Sequence, residues 1–230
     1  MTNSRQISIQ LVVTCLFTML LISSSFAQKQ TSFTGMLEYK ITPRDTANTA
    51  LAPMNQMFVY TNDTITRTEN FTNQLGQQVA IRHMVKQKSY LLLITDLGKF
   101  AIQTDHSKSD TIQRTTKYVF KKKWFKRKIA GQKANRMIVS HPNFKEPIEF
   151  LYLKKTPNKY LDIYPEIPGL LVKYSIATAD GVLDYELVKF NEYTPNHDLF
   201  GIPSDFQKIS FDEFLDRMIK AKEEAQSSAQ

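Results

Sequence analysis

Phe33-Thr34-Gly35-Met36-Leu37-Glu38-Tyr39-Lys40-Ile41 places Phe33, Gly35, Leu37, Tyr39 and Ile41 on one side of an extended chain and Thr34, Met36, Glu38 and Lys40 on the other. A period of two marks a half-buried β-strand, because successive side chains of a pleated backbone point to opposite faces. The pattern recurs at Met57 to Asn62, Val79 to Val85, Tyr90 to Thr95, Lys99 to Thr104, Asn135 to Ser140, Ile148 to Leu153, Leu170 to Ile176 and Val182 to Tyr193. Turn-formers separate these runs: Thr61-Asn62-Asp63, Asp96-Leu97-Gly98, His141-Pro142-Asn143 and Asp180-Gly181. Short strands and tight turns predict a mainly β domain, a curved antiparallel sheet forming a partial barrel.

Two stretches depart from the pattern. Ser210-Phe211-Asp212-Glu213 has the Ser-x-x-Glu form of a capping box, and Phe211, Phe214, Leu215 and Met218 follow at helical spacing. This predicts a C-terminal amphipathic helix whose apolar stripe docks on the sheet, with a fraying tail from Ala225. From Thr46 to Met57, Leu51, Met54 and Met57 recur every three residues, but Pro53 interrupts them. That stretch reads either as a short helix or as a loop over one mouth of the sheet.

At the N-terminus, Arg5 precedes an uncharged run from Ile7 to Ile22, and Ser23-Ser24-Ser25-Phe26-Ala27 supplies the small residues of a signal-peptidase site. The run is 16 residues, shorter than the roughly 20 that span a bilayer. The expectation is a signal peptide over 1–27 cleaved after Ala27, a β domain over 28–209, and a helix and tail over 210–230 belonging to that domain. Cys15, the only cysteine, leaves with the signal. The mature protein then has no disulfide and no cysteine metal ligand. Cleavage removes one base and no acid, so the net charge of +8 becomes +7. A basic exported surface suits lipid headgroups or an envelope glycan, and export disfavours nucleic acid.

The spacing of polar residues reveals no catalytic machinery. His83, His106, His141 and His197 lie in separate segments without a second ligand at metal spacing. There is no nucleophile elbow, phosphate-cradling loop or Ser-x-x-Lys motif. Asp184 and Glu186 share one side of a strand, as a glycosidase pair does, but two acids on a solvated face are far commoner. No enzyme activity, cofactor or metal is expected.

The densest charge is Lys121-Lys122-Lys123-Trp124-Phe125-Lys126-Arg127-Lys128, six cations around the only tryptophan. One reading has the aromatics enter an anionic interface while the cations meet its phosphates. The other packs an aromatic beneath the sheet and leaves the lysines as a solvated, aggregation-resistant edge. Thr46, Thr64 and Thr111 each follow an aspartate and precede an apolar residue, the pattern of bacterial O-glycan acceptors.

Phe33-Thr34-Gly35-Met36-Leu37-Glu38-Tyr39, Lys128-Ile129-Ala130-Gly131-Gln132-Lys133-Ala134, Pro165-Glu166-Ile167-Pro168-Gly169-Leu170-Leu171 and Leu199-Phe200-Gly201-Ile202-Pro203 are similar, in that order, to the landmarks of the GLPGLI-type exported envelope proteins of Gram-negative bacteria. The signature run departs from the pattern at Glu166-Ile167. The resemblance implies a lipoprotein-carrier (LolA/LolB-like) fold and a concave apolar face for a hydrophobic or lipid-like ligand, with Leu170 and Leu171 as lining residues. It implies no catalytic residues. Independently of the family, Pro168-Gly169 reads as a turn feeding Leu170 into a strand, and Gly131 as a bulge or close backbone approach. The functional expectation is a non-enzymatic periplasmic or outer-membrane-associated binding protein. The alternatives are an interaction module with a filled core and, third, a hydrolase with an unrecognised site.

Overall fold

In the computed structural model the segment quoted first is strand β1 (Thr34–Pro43), at the middle of one sheet. The structure describes residues 30–44, 56–72, 76–104, 118–161, 163–178 and 181–227. The expected signal peptide and nearly all of the Thr46 to Met57 stretch lie outside the described residues, although Gln56 and Met57 open strand β2.

Six strands run in sequence as a meander: β1, β2 (Gln56–Asn62), β3 (Ile65–Thr72), β4 (Gly76–His83), β5 (Lys88–Thr95) and β6 (Gly98–Thr104). A second meander follows: β7 (Val119–Ile129), β8 (Gln132–Ser140), β9 (Ile148–Leu153), β10 (Leu170–Thr178) and β11 (Gly181–Glu192). β1 and β11 pair antiparallel and fuse the two. A four-residue strand, β12 (Gln207–Ser210), joins β6 in parallel. The order is β12-β6-β5-β4-β3-β2-β1-β11-β10-β9-β8-β7, an open curved sheet with β12 and β7 at its edges. Helix α1 (Phe211–Ser227) follows, its Glu213 amide capped by Ser210 Oγ at 3.1 Å.

The alternation in β1 is realised as expected, with Phe33, Leu37, Tyr39 and Ile41 all nearly inaccessible. Register carries that face across the sheet, from Leu37 to Val59, Thr68, Ala80, Leu91, Ile102 and Ile209. Over β1 and β8–β11 this interior is filled by large side chains, including Tyr39, Phe150, Tyr160 and Tyr174. Tyr174 stacks on Tyr185 at 4.7 Å and meets Tyr39 edge-on at 5.9 Å. The Tyr39 hydroxyl donates to the Leu171 carbonyl at 2.7 Å, across β11, so a buried polar group is satisfied. On the opposite face, Val79, Ile81, Leu92 and Ala101 pack against Ile202 and Phe206 of the crossover between β11 and β12.

Several expectations change. β3, β7 and β12 are strands that the alternation did not reveal. β3 presents Arg67 and Glu69, an ion pair at 2.5 Å, where apolar residues would signal a face. Val85 is not in a strand, since β4 ends at His83 and Val85 is 77% exposed. Only Phe214 of the helical stripe docks, edge-on to Phe100 at 5.6 Å, while Phe211, Leu215 and Met218 are exposed. Phe214 alone of the stripe joins the small cluster of Leu93, Phe100, Ile102 and Ile209 on β5, β6 and β12. Gly131 is no bulge: Ala130 and Gly131 have φ of 45° and 77° and form the two-residue turn of the β7–β8 hairpin. Gly169 serves close approach rather than positive φ, for a Cβ there lies 2.3 Å from the Leu153 carbonyl oxygen.

A clasp ties the turn between β2 and β3 to a short 3-10 turn at Asn158–Tyr160. Lys159 Nζ lies 2.7 Å from Asp63, the Tyr160 hydroxyl donates to the same carboxylate, and the Phe33 amide donates to that hydroxyl at 2.6 Å. Partial burial works to raise the Asp63 pKa, but the hydrogen bonds from Lys159 and Tyr160 outweigh it and hold the carboxyl below its ordinary value.

This packing can be probed at three positions. Gly169→Ala should cost on the order of 3 kcal/mol, since backbone must move to admit the methyl group, and Tyr39→Phe about 1–2 kcal/mol, by stranding a buried carbonyl; urea denaturation measures both. Because the folded pKa of Asp63 is depressed, its contribution is full above the unfolded pKa of roughly 3.9 and is lost as pH falls through the folded value. Asp63→Asn should therefore blunt the loss of melting temperature on acidification, and an unaltered pH profile would show that the clasp is not coupled to folding.

Candidate functional site

The basic segment forms the free edge of the sheet. Among the described residues β7 pairs with β8 on one side only, and from Lys121 to Lys128 every residue is exposed. Its register is broken: Lys123 pairs with Arg136 and Arg127 with Ala134, so Trp124, Phe125 and Lys126 stand opposite Asn135 alone. Three residues against one make a bulge larger than the usual two against one, which takes these residues out of the regular ladder. Trp124 is 98% exposed and Phe125 79%, so the reading that packs one of them beneath the sheet is overturned. Arg127 and Arg136 share Glu149, Arg127 at 3.0 Å. Among the described residues, Lys121, Lys122, Lys123, Lys126 and Lys128 enter no ion pair. Among the described residues, the result is five cations without ionic partners around two exposed aromatic rings.

The other candidates fall elsewhere. Leu170 and Leu171 are both wholly buried, 0% exposed, and contribute to the packed core. Thr64 is exposed at the tip of the turn between β2 and β3, where its hydroxyl donates to Asn62 Oδ1 at 3.0 Å. Thr46 and Thr111 lie outside the described residues. Asp184 accepts from Arg44 at 2.8 Å and from Ser175 at 2.6 Å, and Glu186 pairs with Lys173 at 2.7 Å, so each carboxylate has its own partner. His141 stacks on Tyr118 at 4.1 Å, where burial holds its imidazole below the ordinary value. Among the described residues, no three His, Cys, Asp or Glu side chains gather as a metal would require, and no helix is long and apolar enough to cross a membrane.

One feature escaped the sequence reading. A cleft of about 610 Å³ opens on the face of the sheet away from the main core, between β3–β5 and the crossover that leads to β12. His83 and His197 both border it, 114 positions apart in the chain. No linear spacing signals such a site, because only the crossover brings its two sides together.

No family model and no curated protein matches the chain, so its likeness to the GLPGLI-type proteins rests on the short landmarks quoted above. Among solved structures, it is similar to an uncharacterized conserved protein from Thermus thermophilus, at 11% identity and a TM-score of 0.47, over 77% of this chain and 91% of that one. It is also similar to MucB, at 13% identity and a TM-score of 0.39, over 79% of this chain and 60% of that one.

Because Trp124 and Phe125 touch no core, replacing both with Ala should leave stability within about 0.5 kcal/mol of the natural protein. Chemical denaturation followed by circular dichroism checks this. A larger loss would mean that the bulge supports the sheet.

Proposed function

We propose that this chain is an exported, non-enzymatic protein of the bacterial cell envelope that attaches reversibly to an anionic membrane surface through the β7 edge. One observation carries the reading: two aromatic side chains, 98% and 79% exposed, project from a bulge among five lysines without ionic partners among the described residues. Exposing an indole and a phenyl ring to water is unfavourable, and both suit the boundary between headgroups and acyl chains. Each cation near an anionic bilayer contributes about 1 kcal/mol, reduced by salt, so the cluster supplies weak attachment that ionic strength reverses. Export rests on the run from Ile7 to Ile22 and the small residues Ser25 and Ala27.

Attachment is favoured over transport of a ligand in the concave interior. That interior is occupied by Tyr39, Phe150, Tyr160 and Tyr174, and Leu170 and Leu171 of the same buried cluster have no accessible surface. The filled-core interaction module thus accounts for more of the side chains than the carrier.

Co-sedimentation with vesicles tests the proposal, comparing phosphatidylglycerol-containing and neutral phosphatidylcholine vesicles at low and raised salt. The natural protein should pellet only with anionic vesicles, less so in salt, and a variant with Gln at Lys121, Lys122, Lys123 and Lys126 should stay in solution. If the natural protein remains soluble with anionic vesicles even at low salt, the lysines are an aggregation-resistant edge and the membrane reading fails. Intact-mass analysis of the exported protein should give a species beginning at Gln28; retention of Ile7 to Ile22 would overturn the export argument.

A further inference from the structure

The cleft on the outer face of the sheet has the composition of a site for a particular kind of small molecule. Its volume of about 610 Å³ falls within the roughly 300–1,000 Å³ typical of ligand pockets. The walls divide by chemistry. Ile65, Val85, Phe200 and Ile202 are apolar, and Phe200 is almost wholly buried, which makes a fixed floor. Lys86, Lys208, His83 and His197 supply basic nitrogens, and among the described residues no carboxylate lines the cleft. Lys86 and Lys208 are exposed and enter no ion pair among the described residues.

We infer that this cleft binds an amphiphilic anion, a medium-length acyl chain or comparable apolar body carrying a carboxylate or phosphate head. The apolar tail lies along Ile65 and Ile202 of the floor, and the head meets Lys86 and Lys208. Two exposed lysines and two histidines with no carboxylate among the described lining residues are the geometric basis. His83 responds to its surroundings: partial burial and then the charges of Lys86 and Lys88 hold its imidazole below the ordinary value. A bound anion relieves that repulsion, and apolar contact supplies the remainder of the affinity. The site lies on β3–β5 and the crossover, not on β7, so it stands or falls separately from membrane attachment.

Isothermal titration calorimetry of the purified protein with decanoate, below its micelle concentration, tests the inference. Acetate tests the head alone, decyl maltoside the tail without charge, and decyl phosphate the second head group. Decanoate should bind, acetate should not, and decyl maltoside should bind at least tenfold more weakly. Lys86→Gln with Lys208→Gln, both at exposed positions, should weaken decanoate at least tenfold and leave thermal stability unchanged. The variant with Gln at Lys121, Lys122, Lys123 and Lys126 should bind decanoate as the natural protein does. Equal decanoate affinity in the Lys86 and Lys208 variant overturns the assignment, as does absence of decanoate binding by the natural protein. Loss of decanoate binding in the β7 variant alone would also overturn it, by moving the ligand to the sheet edge.

Discussion

The pairing of β1 with β11 is the constraint on which everything else rests. Each meander alone is a set of local hairpins with one apolar face and nothing to close over it. When β1 docks against β11, the two faces become continuous and Tyr39 reaches across to the Leu171 carbonyl on β10. On the other face the same junction is riveted by Arg44, which meets Asp184 and Ser175 from 140 and 131 positions away. Closing so long a loop costs entropy before any contact rewards it, so this topology belongs with slow-folding, non-local β architectures. Tyr39 is the reward: it meets Tyr174 edge-on and so extends onto a third strand the stack that Tyr174 and Tyr185 already form within the β10–β11 hairpin.

Much of this was legible because a half-buried strand writes its burial into every second residue. β1, β2, β5, β6, β9 and β10 carry apolar side chains on the core face and could be read directly. β3 and β7 could not, since Arg67, Glu69 and the run of lysines replace the expected contrast between faces. β12 is legible only through its partner: four residues, with Ile209 alone buried, become a strand because β6 offers free backbone groups beside them. The basic segment was found by composition, but its exposure was not, because composition cannot distinguish an aromatic lifted by a bulge from one tucked beneath a sheet. The bulge is a matter of register between Lys123 and Arg127, and register is a property of two strands. The cleft was invisible for the same reason, being made by a crossover rather than by a motif.

The two edges of the open sheet are handled by different means. β12 is short and parallel and is followed at once by α1, so little backbone is left to template another chain. β7 is long, and there the bulge and the like charges of its lysines interrupt any regular ladder. The device that protects the edge is also what presents Trp124 and Phe125. An edge that repels copies of itself while presenting aromatic rings among like charges is selective in what it can touch.

The placement of Trp124 divides the optical signals of the protein between two different events. As the only indole in the chain and almost fully exposed, it is already solvated in the native state, so its emission changes little when the sheet comes apart. The buried rings Tyr39, Tyr160 and Tyr174 experience the opposite change, passing from a close-packed interior to water on denaturation. Near-ultraviolet absorbance and dichroism of tyrosine thus follow folding, and tryptophan emission follows what the sheet edge touches. A single natural chain can report both without an added dye.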